Sequence, residues 1–81
     1  MKQTTIVDYS DLLHFAVEIG IDWNTACSIM DRDEVRPMYE CNQVDIYPGM
    51  GNDYGWSEES SRIVDGFMKK HNLTSATLVN D

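Results

Sequence analysis

The chain has 81 residues, in which six basic side chains face fourteen acidic ones, for a formal net charge of −8. This charge disfavours direct binding to a phosphate backbone, because such binding needs clustered Lys and Arg. It favours a basic protein partner, or an acidic surface that keeps the protein soluble. Hydrophobic residues make up 42% of the chain, too many for a disordered protein. We expect one globular domain spanning residues 1–81.

The start of the chain lacks the long apolar region of a signal peptide, and no stretch is long enough to span a membrane. We therefore expect a cytoplasmic protein. Cys27 and Cys41 should be reduced thiols in that compartment.

The first part of the chain predicts a short strand followed by a helix. Thr4 to Val7 is rich in β-branched residues, which favours a strand. From Asp11 to Ile19, apolar residues recur every three or four positions, as they do on the buried face of a helix. Gly20 is placed to end this helix in the left-handed conformation.

A second helix is predicted to follow this turn. Asp22 or Asn24 can cap its N-terminus. It should end near Glu34 to Arg36, because Pro37 disfavours helix at the residue before it. Its apolar face is predicted to consist of Trp23, Ala26, Cys27 and Met30.

The second half predicts a strand, a loop, a helix and a closing strand. Val44 to Tyr47 alternates apolar and polar residues, and Pro48 to Gly55 has the composition of a loop. Ser57 starts a helix that runs to His71, with acidic residues in its first turn and basic ones in its last. Thr74 to Val79 favours a strand. The predicted buried stripe of this helix is Ser60, Ile63, Val64, Phe67 and Met68.

These elements predict a small α+β domain of about three helices and a short sheet of two or three strands. Both chain ends and the segment from Val44 to Tyr47 would form the sheet beneath the helices. The alternative is a mainly α fold of three helices with a long ordered loop. The first is preferred because both ends are β-branched and a long loop needs support.

Catalytic and metal-binding motifs are not recognisable. Cys27, Cys41, His14 and His71 are the candidate zinc ligands, and no pair of them has the required spacing. Asp31-x-Asp33 begins like a calcium loop, but Arg36 stands where Gly is needed. We assign no catalytic residue, metal or cofactor, and we expect a protein that is not an enzyme.

Ala16 and Gly20 fit the tight turn of a helix-turn-helix unit, which makes a DNA-binding regulator the alternative function. The second helix would then read bases, yet it has no basic residue before Arg32. Base reading needs Arg, Lys, Asn or Gln in basic surroundings. Because of this charge, direct DNA binding is less favoured than binding to a basic protein.

Two features predict a protein-binding surface. The stretch from Asp31 to Asp65 contains nine acidic and three basic residues, and carboxylates along one face can imitate the charges of DNA. The segment from Tyr47 to Trp56 contains Tyr and Trp, which anchor many interfaces. We expect Trp56 to be buried and Tyr54 and Met50 to be more exposed. The predicted binding residues are Asp31, Asp33, Glu34, Glu40, Asp45, Asp53, Tyr54, Trp56, Glu58 and Glu59.

The resulting hypothesis is a small acidic inhibitor or modulator that occupies the basic, nucleic-acid-binding surface of a target protein. In size and charge the chain is similar to small acidic proteins of phage-like mobile elements that inhibit nucleic-acid-binding enzymes. Charge would speed association, and the aromatic side chains would slow release.

Overall fold

The computed structural model describes residues 5–37 and 43–80, which form an α+β fold with a three-stranded sheet. The α+β prediction is therefore confirmed. Cys41 lies outside the described residues. The elements in chain order are β1 (Ile6–Asp8), α1 (Tyr9–Glu18), α2 (Trp23–Arg32), β2 (Gln43–Ile46), α3 (Met50–Tyr54), α4 (Glu58–Lys70) and β3 (Ala76–Val79).

The sheet has the strand order β1-β3-β2, with β1 parallel and β2 antiparallel to the central strand β3. Val7, Leu78 and Val44 are aligned across it, so their side chains share the face that the helices cover. Thr77 belongs to the opposite face, between Ile6 and Asp45. The predicted sheet of the two chain ends with the segment from Val44 is thus confirmed.

The helices α1 and α4 pack against each other through an aromatic contact. The rings of Phe15 and Phe67 meet edge to face, with centroids 6.0 Å apart. A Cβ atom at Gly66 would lie only 2.9 Å from the Phe15 ring. Gly66 weakens the middle of α4 as an isolated helix, but it makes room for this contact. The stripe predicted for α4 is confirmed, since Ser60, Ile63, Val64, Phe67 and Met68 are all buried.

Three helices end with the same backbone geometry. At the ends of α1, α2 and α4, the residue with positive φ is Gly20, Glu34 or Asn72, at 93°, 59° and 56°. In each case the next N–H donates to a carbonyl five residues earlier, at 2.8–2.9 Å, which satisfies an otherwise unpaired carbonyl. The predicted left-handed Gly20 is confirmed, and Asp8, Asp22 and Ser57 cap the helix N-termini.

Three local predictions are wrong. The segment predicted as a loop contains the five-residue helix α3, which Gly49 and Gly55 bracket in left-handed conformations. Met50 was predicted to be exposed but is buried at 1% exposure, because the helix turns its side chain into the core. Trp23 belongs to the predicted apolar face of α2 but is 38% exposed, and its ring lies 5.0 Å from that of His14 instead of in the core.

Cys27 is half-buried and packs against the core. Within residues 5–37 and 43–80, no helix combines the length and the apolar character that crossing a membrane requires.

Candidate functional site

A groove of about 500 Å³ lies between the end of α2, strand β2 and helix α3. Its size falls within the range of about 300–1,000 Å³ that is usual for ligand pockets. One wall is charged and the other is aromatic and apolar. The residues that line this groove are Arg32, Asp33, Glu34, Val44, Met50, Tyr54, Gly55 and Trp56.

Tyr54 and Trp56 form the aromatic wall. Tyr54 is 63% exposed, whereas Trp56 is half-buried and packs against the core. Their ring centroids lie 6.1 Å apart with an angle of 40° between the planes. Apart from its chain neighbours Tyr54 and Trp56, no residue would lie within 4 Å of a Cβ atom at Gly55, so no other part of the chain crowds the backbone between the two aromatic residues. The predicted exposure of Tyr54 is confirmed, and Trp56 is less buried than expected.

Three contacts hold the short helix α3 in place. The backbone N–H of Gly49 donates to the Asp65 carboxylate of α4 at 2.9 Å, and the N–H of Trp56 donates to the carbonyl of Gly51 at 2.9 Å. The buried Met50 side chain adds an apolar anchor. The aromatic wall therefore rests on a fixed support despite the loop-like composition of the segment.

Asp53 also supports α3. The hydroxyl of Tyr47 donates a hydrogen bond of 2.8 Å to its carboxylate. This bond raises the pKa of Tyr47 to about 12, because loss of the phenolic proton would place two negative charges side by side. Asp53 is exposed, but one of its oxygens is engaged within the protein.

Asp33 joins the end of α2 to the start of α4. Its Oδ2 accepts hydrogen bonds from the Ser57 hydroxyl at 2.6 Å, the Ser57 N–H at 3.1 Å and the Ser60 hydroxyl at 2.7 Å. Burial by itself would raise the pKa of Asp33, but these hydrogen bonds outweigh burial and hold it below its usual value. The carboxylate also lies at the positive end of the α4 dipole. Asp33 therefore has a structural role in addition to lining the groove.

Arg32 places a cation beside this carboxylate. Its Nε lies 3.9 Å from Asp33 Oδ1, and its side chain remains 66% exposed. Such an exposed pair is worth little and is easily rearranged. A second loose pair joins Asp31 to Arg36 at 3.6 Å.

Glu34 is the residue of the groove with unusual backbone geometry. Its φ of 59° lies in the left-handed region, which costs a non-glycine residue roughly 1–2 kcal/mol. It is exposed, and no Lys or Arg of the described segments forms an ion pair with it. An acidic residue thus lines the groove in a backbone conformation that glycine adopts without strain.

The remaining predicted binding residues lie at different distances from the groove. Glu58 and Glu59 are exposed in the first turn of α4, directly after the cap residue Ser57 that contacts Asp33. Asp45 lies on the other face of the sheet, because side chains alternate along a strand and its neighbour Val44 lines the groove. Asp45 accepts a hydrogen bond from Thr77 there, at 3.3 Å. Glu40 lies outside the described residues.

Sequence reasoning missed several residues of this site. Arg32, Val44 and Gly55 line the groove, and only the alternation around Val44 gave a signal, namely that one face of the strand would be covered. The contacts of Asp33 with Ser57 and Ser60 span 24 and 27 residues, so no local pattern indicates them.

A second, smaller cleft of about 310 Å³ lies between α1 and α4 and is lined in part by His14 and His71. The ion pair of Glu18 with Lys70, at 2.7 Å, joins the two helices there. In the ranges that the structure describes, no three side chains of His, Cys, Asp or Glu are grouped to hold a metal ion.

No family model, curated protein or solved structure matches this chain. The geometry and the charge of the groove are therefore the features that indicate a function.

Proposed function

We propose that this protein is a binding module whose groove and surrounding carboxylates occupy a basic, nucleic-acid-binding surface of a target protein, which it inhibits or modulates in the cytoplasm. The observation that carries the proposal is that aromatic and acidic side chains line the same groove. Tyr54 and Trp56 form one wall of the groove and Glu34 lines it. The acidic rim, defined as Asp31, Glu34, Glu58 and Glu59, is exposed at the end of α2 and the start of α4, which the hydrogen bonds of Asp33 join.

The two kinds of side chain would contribute differently. Carboxylates of the acidic rim would attract a basic surface and speed association, an effect that salt weakens because the Debye length is only about 8 Å at physiological ionic strength. Tyr and Trp bury large areas at small entropic cost, so Tyr54 and Trp56 would slow dissociation. Nucleic acid would compete for the same basic target surface.

A capture experiment with matched variants tests this proposal. The wild type, a groove variant (Glu34→Gln with Tyr54→Ala) and a control variant (Asp11→Asn with Val17→Ala) are immobilised and exposed to a lysate of the native host. Each variant removes one negative charge and truncates one exposed side chain, but the control changes α1, away from the groove. Captured proteins are identified by mass spectrometry and then challenged with duplex DNA.

The proposal predicts that the wild type and the control variant capture a nucleic-acid-binding protein, that duplex DNA releases it, and that the groove variant loses it. Equal capture by the groove and control variants would contradict the proposal. Direct binding of duplex DNA by the wild type at physiological salt would favour the helix-turn-helix alternative instead.

A further inference from the structure

The proposed function implies a basic partner, and the groove indicates which basic group enters it. We infer that the groove is a receptor for a single arginine side chain of the partner, with the guanidinium stacked on the Tyr54 and Trp56 rings and paired with the Glu34 carboxylate. This inference rests on the proposed function, and it adds the chemistry of the recognised group.

The aromatic wall favours a planar cation. A guanidinium stacks on an aromatic face, where the ring quadrupole attracts its charge, whereas an ammonium is compact and strongly hydrated. Tyr54 is 63% exposed, Trp56 is half-buried beside it, and no residue other than these two would lie within 4 Å of a Cβ atom at Gly55. A flat group can therefore reach the exposed Tyr54 ring from the groove.

The charged wall supplies the counter-ion. Asp33 uses its Oδ2 for Ser57 and Ser60, so it is not free to turn towards a partner. Glu34 is exposed and forms no ion pair within the described segments. A carboxylate matches the donor geometry of guanidinium and binds it through two parallel hydrogen bonds. Glu34 is thus the residue that we expect to pair with the incoming arginine.

Arg32 shows that a guanidinium is compatible with this groove. It lines the groove with its Nε 3.9 Å from Asp33 Oδ1, a long contact on a side chain that is 66% exposed. Arg32 pairs with Asp33 and leaves the Glu34 carboxylate for a partner arginine, but its positive charge would repel that arginine. Removal of Arg32 should therefore strengthen binding.

The test uses two capped tripeptides, acetyl-Gly-Arg-Gly-amide and acetyl-Gly-Lys-Gly-amide, as probes of the intact protein. Two-dimensional NMR follows the indole N–H signals of the two tryptophans. Trp56 reports on the groove, and Trp23, which packs on His14 in α1, serves as an internal control. The variant Trp23→Phe assigns the two signals.

We expect the arginine peptide to shift the Trp56 signal in a saturable way, to leave Trp23 unchanged, and to bind at least threefold more tightly than the lysine peptide. Glu34→Gln should weaken binding at least threefold, while Glu59→Gln, with the same charge change, should weaken it less than twofold. Arg32→Gln should strengthen binding at least twofold, and the matched Arg62→Gln should have a smaller effect.

Equal affinity for the two peptides, equal effects of Glu34→Gln and Glu59→Gln, or no shift of Trp56 would each overturn the inference. Such a failure is distinguishable from failure of the proposed function, because the capture experiment measures partner binding without the peptides. If the groove variant lost the captured partner but the wild type did not bind the arginine peptide, the proposed function would be supported and the arginine inference would be wrong.

Discussion

The ends of α2 and α4 share one backbone geometry but differ in sequence and surroundings. Glu34 and Asn72 adopt nearly the same φ, at 59° and 56°. Asn tolerates the left-handed region well, whereas Glu is strained there. The end of α4 therefore has a residue type that suits its left-handed conformation, whereas the end of α2 does not. Glu34 lines the groove, and residues in strained conformations are concentrated at functional sites.

The C-cap residues that precede these two positions also differ. Asp33 accepts three hydrogen bonds from the start of α4. Its counterpart His71 is exposed, with its ring 4.4 Å from that of Phe67. The α2 end thus combines a residue that stabilises the fold with one that we assign to binding, on adjacent positions. Substitutions at matched positions of the two ends separate these roles.

Asp33→Ala should have the largest effect, a loss of about 3 kcal/mol in the free energy of unfolding, because it removes hydrogen bonds to a charged acceptor. It also leaves the hydroxyl of Ser60, a fully buried residue, without its acceptor. His71→Ala should cost less than about 1 kcal/mol. Urea denaturation measures the unfolding free energy of both variants. Similar losses would show that Asp33 contributes no more to stability than His71 does.

The acid stability of the protein should also depend on Asp33. Its pKa in the folded state lies below the ordinary value of 3.8, so its stabilisation is fully present above that value and is lost as the pH falls through the folded pKa. The difference in unfolding free energy between the wild type and Asp33→Asn should therefore shrink between about pH 5 and pH 2. Denaturation across this range measures it, and a constant difference would contradict the prediction.

Glu34→Gly should stabilise the protein by about 1 kcal/mol, because Gly adopts positive φ without the steric cost that Glu incurs. Thermal and urea denaturation would show the gain as a higher midpoint. A loss of stability would mean that the Glu34 side chain contributes to folding in a way that the contacts do not reveal.

Asn72→Gly should have the smallest effect, a change of a few tenths of a kcal/mol, since Asn already tolerates this conformation. The same denaturation series measures it. A gain as large as that of Glu34→Gly would remove the contrast between the two helix ends.

Local patterns were sufficient for much of this fold. The apolar spacing and the charged ends of α4 predicted its start, its buried stripe and its end at His71, because these features depend on neighbouring residues alone. The segment from Pro48 to Gly55 was predicted as a loop because its glycines mask a short helix. That helix is held by Asp65 and by the burial of Met50, which are tertiary contacts.

The candidate site was predictable only in part. Composition pointed to carboxylates and to Tyr54 and Trp56, and these two rings do line one groove with Glu34. Sequence did not separate Asp33, which is engaged by distant serines, from Glu34 beside it. It also did not place Asp45 on the opposite face of the sheet from the groove. Both distinctions depend on which elements the chain brings together.

The most direct test of the account compares two glycine substitutions at the matched helix ends, Glu34→Gly and Asn72→Gly, for binding to the captured basic partner. Both keep the backbone geometry, and neither should destabilise the fold. We expect Glu34→Gly to bind the partner at least threefold more weakly than the wild type despite its higher stability, and Asn72→Gly to bind normally. Equal binding by the two variants would show that the carboxylate at the groove is not a recognition element.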